Sequence, residues 1–186
     1  MSIEALRDAL PDYARDIKLN LGMVLSPEGA PDLTQNQIMG IALAVAYATR
    51  NSQLVSAIAA ESANVLSAEE QNAAKAAATI MAMNNVYYRY THYVGDKEVS
   101  ALPAKLRMNI IANPGIPKVD FEIYSLAVSS VNGCGMCMDA HTHVLAKAGL
   151  SKQSIQSAVR IAAVVNAAAQ ALFIANNDEA TLALAA

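Results

Sequence analysis

The chain has 186 residues, 54% of them hydrophobic, with two Cys, no Trp and a formal net charge of −3. That length suits one domain with a sizeable core, and a mean hydropathy of +0.27 excludes a disordered or low-complexity chain. Two Cys exclude a disulfide-stapled secreted scaffold, and a pI near 5.5 without a basic run gives no electrostatic footprint for nucleic acid or an anionic membrane.

The chain reads as all-α, because Ala and Leu dominate, apolar residues recur at three and four, and no segment alternates with period two. The first helix is expected from Ser2 to Met23, bent or interrupted at Pro11, with acids where a secretory leader would be basic. A turn-rich stretch from Ser26 to Asp32 follows. Thr34 with Gln37 forms a capping box, stapled by Leu33 and Ile38, and opens a helix toward Arg50. Ser67 with Glu70 is a second box, opening a helix expected to run through Met83. Asn84, Asn85 and the Tyr87, Tyr88, Tyr90 cluster then lead into a polar connection near Gly95.

Ala112 to Pro117 reads as a rigid loop, and Asp120 to Val131 as a helix stopped by Asn132-Gly133. The apolar stretch from Ala158 to Ala175 holds Arg160, Asn166 and Gln170 and reads as a buried helix, not a membrane span. Absence of an export signal places the chain in the cytoplasm, where a close Cys pair points to redox, catalysis or metal binding. Charged residues are only 16% of the chain; against about 25% in typical domains, this predicts buried subunit interfaces.

A weak internal echo runs through the chain. Leu43-Ala44-Val45, a helix and Leu66-Ser67 resemble Leu126-Ala127-Val128, a helix and Leu150-Ser151, at offsets of about 83 to 84 residues. In that register Asn51 and Leu54 fall where Cys134 and Cys137 stand, so the chemistry would lie in the second unit alone.

That chemistry converges on Asn132-Gly133-Cys134-Gly135-Met136-Cys137-Met138-Asp139-Ala140-His141. Cys134 should open a helix to Lys147, placing both thiols in a first turn where free N–H groups and the positive dipole end favour a thiolate. At about 100° per residue, Cys134, Cys137 and His141 share roughly a 60° arc, with His143 opposite. His141 stands one turn beyond Cys137 and can exchange that thiol's proton. A thiolate so placed can attack a peroxide oxygen and be captured from sulfenic acid as a disulfide by its neighbour. Two buried structural cysteines, or three zinc ligands in Cys134, Cys137 and His141, are the competing readings. His92 and His143 read as structural or surface residues, Asp139 as a charge on another face, and the Tyr cluster as packing. Glu122 falls in a helix first turn, where the bland expectation is a solvated, dipole-complementing carboxylate.

Nearly the whole chain resembles the alkylhydroperoxidase D (AhpD) family of the carboxymuconolactone decarboxylase-like superfamily. The likeness is carried by Met1 to Glu4, Ala48-Thr49-Arg50-Asn51, Met83 to Arg89, Leu106 to Lys118, and the Cys134, Cys137, His141 motif. The resemblance implies an all-helical, AhpD-like single domain over 1–186, with pseudo-repeats at approximately 34–90 and 118–176, assembled as a homotrimer. It implies a thiol-dependent alkyl hydroperoxide reductase with no bound cofactor and no metal, using a Cys134/Cys137 redox disulfide. Electrons come from dihydrolipoyl groups on a carrier protein, and a partner peroxiredoxin, alkyl hydroperoxide reductase C, is regenerated by disulfide exchange. By position, Cys137 matches the peroxidatic, sulfenic-acid-forming cysteine that also pairs with the peroxiredoxin. Cys134 matches the resolving cysteine and proton donor, and Glu122 and His141 the proton relay. Met136 stands where some members carry a second His. Thioredoxin-like reasoning would make the first cysteine the nucleophile, whereas the resemblance and the one-turn spacing to His141 favour Cys137. The alternative function is a disulfide-exchange adaptor between lipoylated proteins and a peroxiredoxin, with little peroxidase activity of its own.

Overall fold

The computed structural model describes residues 1–185. Its described residues form ten α-helices and no strand: α1 (Ile3–Asp8), α2 (Arg15–Val24), α3 (Gln35–Thr49), α4 (Ser52–Ser62), α5 (Ala68–Tyr93), α6 (Lys97–Ser100), α7 (Asn109–Ala112), α8 (Lys118–Val131), α9 (Gly135–Lys147) and α10 (Lys152–Ala185). The expected N-terminal helix is therefore two helices. Ala9 ends α1, and Pro11, fixed in φ and without an N–H, precedes a 3-10 turn at Asp12–Ala14 before α2 begins. Both capping boxes are present at Thr34 and Ser67, and the staple residues Leu33 and Ile38 are buried.

α5 runs ten residues past the expected stop at Met83. Asn84 and Asn85 read as terminators because their side chains usually compete for the backbone. Here both are buried, and Asn85 donates across the helix interface to Ser129 Oγ at 2.9 Å, leaving the α5 backbone ladder intact. α8 likewise opens at Lys118 rather than Asp120, directly after Pro117.

The centre of the molecule is the α3–α8 pair. Ile38 to Ala46 in α3 and Phe121 to Ser129 in α8 are buried without interruption, the pattern of helices surrounded on every side. α5 and α10 pack against both, α4 covers α3, α9 covers α8, and α2 lies on α10. Burial of each Leu, Ile or Phe in this pair contributes about 1.5–3 kcal/mol, and small residues set how closely the helices approach. Gly40 is the tightest position: a Cβ there would overlap the hydroxyl and ring of Tyr124. Burial pushes the Tyr124 hydroxyl upward in pKa, with the Asp120 and Glu70 carboxylates adding to the shift, so it stays neutral.

α10 buries Ala158, Ile161, Ala162, Val165, Ala168 and Leu172, as the expectation of a core helix requires. Its Lys152–Asp178 portion also has the length and hydropathy of a membrane span, a property that buried core helices share. α6 and α7 bury none of their residues. The order of helices recurs along the chain: α3, α4 and α5 start at Gln35, Ser52 and Ala68, and α8, α9 and α10 at Lys118, Gly135 and Lys152, displacements of about 83 to 84 residues. Gly40→Ala should cost about 1–3 kcal/mol through overpacking at the α3–α8 crossing, measured by urea denaturation; an unchanged midpoint would show that the crossing has slack.

Candidate active site

α8 ends and α9 begins around the cysteine motif, and the joint is built from backbone geometry. Gly133 takes φ +67, the left-handed conformation that a glycine adopts without strain. Its N–H bonds to Ser130 O at 3.3 Å and the Cys134 N–H reaches Ser129 O at 3.2 Å, the paired bonds of a Schellman stop. The chain then turns at once into α9 with Cys134 as N-cap, its sulfur accepting the Cys137 N–H at 3.3 Å. The two cysteines form a disulfide across this first turn, with Cα atoms 5.3 Å apart.

His141 lies one helical turn beyond Cys137, and its Nδ1 is 2.6 Å from Glu122 Oε2 on α8. Both side chains are buried, Glu122 at 4% exposure and His141 at 9%. The expectation of a solvated Glu122 is overturned: α8 is enclosed on all sides, so position 122 faces protein, not water. A buried carboxylate needs a polar partner, because an unpaired one costs several kcal/mol. Here His141 is that partner. With Nδ1–H donating to the carboxylate, Nε2 is the ring nitrogen left to take or give a proton. Ser125 and Ser129 continue a buried polar stripe along α8 behind Glu122, and Ser125 Oγ has no hydrogen-bond partner among the described residues.

The structure adds residues that sequence reasoning did not assign to the site. Cys137 Sγ lies 4.0 Å from the Asn84 carbonyl oxygen, an acceptor for the thiol once the pair is reduced. Asn85 bonds Ser129 Oγ through Nδ2 and accepts from Asn132 Nδ2 through Oδ1, each at 2.9 Å. Arg89 donates to the Asn132 carbonyl oxygen at 2.6 Å. One face of α5 therefore clamps the turn that carries the cysteines. Two adjacent amides inside an apolar helix pattern were the available signal; they read as a helix end because the partners of Asn85 lie 44 and 47 residues away.

Cys134, Cys137, His141 and Glu122 are thus brought together, while His143, His92 and Asp139 are exposed and take no part. Tyr87 and Tyr88 pack edge to face at 5.3 Å, half-buried, and Tyr90 is exposed. The zinc reading needs both sulfurs and His141 to turn toward one ion; the sulfurs are bonded to each other, and His141 gives Nδ1 to Glu122. Among the described residues no group of three or more His, Cys, Asp or Glu side chains is arranged to hold a metal. Asn85→Ala would strand Ser129 Oγ and the Asn132 amide. It should cost about 1–3 kcal/mol in chemical denaturation; a loss below a few tenths would show that the clamp carries no load.

A model of the carboxymuconolactone decarboxylase family matches residues 97–177, the segment that holds all four of these side chains. The similarity to curated proteins is broader. A protein named alkyl hydroperoxide reductase AhpD from Coxiella burnetii (strain RSA 493 / Nine Mile phase I) is 58% identical over 174 residues, covering 94% of this chain and 98% of the relative. Proteins of the same name from Azorhizobium caulinodans and Rhodopseudomonas palustris (strain BisA53) are 54% identical over 172 residues and 49% identical over 186 residues. They cover 92% and 100% of this chain, and 93% and 99% of their own lengths. With a helical core built to hold a buried Glu–His pair beside a Cys-x-x-Cys disulfide, and identity of this extent along its length, the chain belongs to the AhpD family of alkyl hydroperoxide reductases.

Proposed function

We propose that this protein is a thiol-dependent reductase of alkyl hydroperoxides that cycles between a Cys134/Cys137 dithiol and the disulfide. The observation that carries the reading is the position of the buried Glu122–His141 pair, one helical turn from Cys137. In the cycle the Cys137 thiolate attacks the terminal oxygen of the hydroperoxide. The O–O bond breaks, the alkoxide leaves as the alcohol after taking a proton, and Cys137 becomes a sulfenic acid. Cys134 then attacks that sulfur, closing the disulfide and releasing water. One hydroperoxide and two thiols thus yield one alcohol, one water and one disulfide.

Accessibility supports the assignment of Cys137 as the cysteine that meets an external reactant. Cys134 has no exposed surface, whereas Cys137 retains 6%. His141, held through Nδ1 by Glu122, is the group spaced to take the Cys137 proton and return it to the leaving alkoxide. Cys134, as N-cap, is poised over the Cys137 N–H and within bonding distance of its sulfur, the placement a resolving thiol needs.

The family resemblance extends this reading to partners. A dihydrolipoyl group on a carrier protein reduces the disulfide, becoming the lipoyl disulfide. The same Cys137 forms a mixed disulfide with a peroxiredoxin, alkyl hydroperoxide reductase C, and so regenerates it. The protein works in the cytoplasm as a homotrimer, in keeping with a charged fraction of only 16%. We also read the recurrence of helix starts as a duplicated unit, covering approximately 34–90 and 118–176. In the first unit the positions about 83 residues before Glu122, Cys134, Cys137 and His141 hold Met39, Asn51, Leu54 and Ile58.

The test is steady-state turnover of cumene hydroperoxide with dihydrolipoamide and no peroxiredoxin. Wild type should turn over, Cys134→Ser and Cys137→Ser should not, and Glu122→Gln should lose about 10- to 100-fold. A wild-type protein with two titratable thiols and no turnover would contradict the reductase and favour the disulfide adaptor, with activity returning only when the peroxiredoxin is added.

A further inference from the structure

The chain has 13 Lys and Arg against 16 Asp and Glu, a ratio at which most cations have an acid available. Among the described residues, the one Lys or Arg forming a salt bridge with a carboxylate is Lys18, 3.2 Å from Asp8. Three of the others, Arg50, Lys75 and Arg89, line a single cleft of about 540 Å³ between the C-terminal end of α3 and the outer face of α5. No carboxylate lines it with them. Three cations facing one concavity without an acid leave a local positive potential that an anion would neutralise. Two of the three have no structural partner among the charges: Lys75 and Arg50 are exposed and, among the described residues, form no salt bridge, while Arg89 also holds the Asn132 carbonyl.

The rest of the lining restricts the anion. Lys75, Thr79, Ala82, Val86 and Arg89 follow one another at spacings of three and four along α5, so they form one stripe. The middle of the stripe is apolar, and Val86 is 60% exposed. The cations sit at its two ends and across from it on α3. Inorganic phosphate or a polyanion would leave that apolar middle uncovered, whereas an aliphatic body with one charged head covers it and meets a guanidinium. Arg89 is already oriented, since it donates to the Asn132 carbonyl at 2.6 Å and keeps further N–H groups for a second acceptor. The volume lies in the range of small-ligand sites and is concave, unlike the flat faces that proteins dock on.

We propose that the cleft between α3 and α5 binds a small amphipathic carboxylate, its head on the arginines and its aliphatic body along Ala82 and Val86. The site adjoins the redox centre through Asn85, Arg89 and Asn132, which hold the Cys134 turn, but contains none of its reacting groups. Neither cysteine lines it, and the Asn85–Asn132 hydrogen bond, whose two residues do, stands between the cleft and the Cys134 turn. The proposal does not depend on peroxidase activity, and its test reads binding alone.

The experiment is isothermal titration of the full-length oxidised protein with sodium octanoate, 1-octanol and inorganic phosphate. Octanoate should saturate at one site per chain, with octanol and phosphate each weaker by at least about tenfold. The Arg50→Gln/Lys75→Gln double variant should weaken octanoate by about fivefold or more, and added salt should weaken it in wild type. Neither residue belongs to the redox machinery, and a wild-type thermal midpoint verifies folding. Should the double variant not fold, Val86→Glu, which places an acid in the apolar middle, must produce the same loss. Octanol binding as tightly as octanoate, phosphate binding as tightly as octanoate, undiminished octanoate binding in the variants, or no saturable octanoate binding would each overturn the proposal.

Discussion

The hydrogen bond between Glu122 and His141 is the constraint around which the site is organised. A carboxylate placed in the second turn of a helix enclosed on every side has nowhere to find water, so the fold must supply it with a donor. α9 does so from His141, and in doing so fixes which ring nitrogen is committed and which is free. The same bond ties α9 to α8, and α8 belongs to the pair of helices around which the remainder of the protein packs. The cysteine turn is therefore mounted on the central helix pair, and the orientation of His141 is set by packing rather than by an exposed loop.

The turn itself is constrained from the other side. The Schellman stop at Gly133 ends α8 and hands the chain to Cys134 in the fewest residues that allow a new helix to start. Asn85 and Arg89, from α5, hold the turn by its side chain and its carbonyl. The corresponding turn after α3 is similar, except that the Asn51 N–H bonds Thr49 Oγ1 at 3.4 Å where the Cys134 N–H bonds a backbone carbonyl. Arg50 takes the left-handed conformation at φ +60, and Asn51 caps α4 by accepting the Leu54 N–H at 3.1 Å. One helix–turn–helix frame thus occurs with a neutral amide cap and an apolar third residue, and again with two sulfurs. At the places about 83 residues before Glu122 and His141, Met39 and Ile58 are buried apolar residues.

Local chemistry made much of this legible in the sequence. Capping boxes at Thr34 and Ser67, the Asn132-Gly133 stop, and the Cys134, Cys137, His141 spacing are all encoded within a few residues of one another, and each appears where the sequence places it. The burial of Glu122 was not legible, because an acid near a helix start, two residues after Asp120, has the same local signature whether or not another helix covers it. Asn85 misled for the related reason that its partners are remote: a helix interior accepts an amide only if something across the interface bonds it, and no short-range pattern reports Ser129 or Asn132. The resemblance drew attention to Glu122 where spacing alone did not. The cleft between α3 and α5 escaped notice because Arg50, Lys75 and Arg89 are separated in sequence and share a wall only after folding.

The most direct measurement of the central claim is a single-turnover experiment on the reduced Cys134→Ser variant. It would be exposed to one equivalent of cumene hydroperoxide in the presence of dimedone and analysed by peptide mass spectrometry. A dimedone adduct is expected on Cys137, formed in step with release of cumyl alcohol, and faster than in the same variant carrying Glu122→Gln. No adduct on Cys137, together with a sulfenate trapped on Cys134 in the reciprocal Cys137→Ser variant, would contradict the claim.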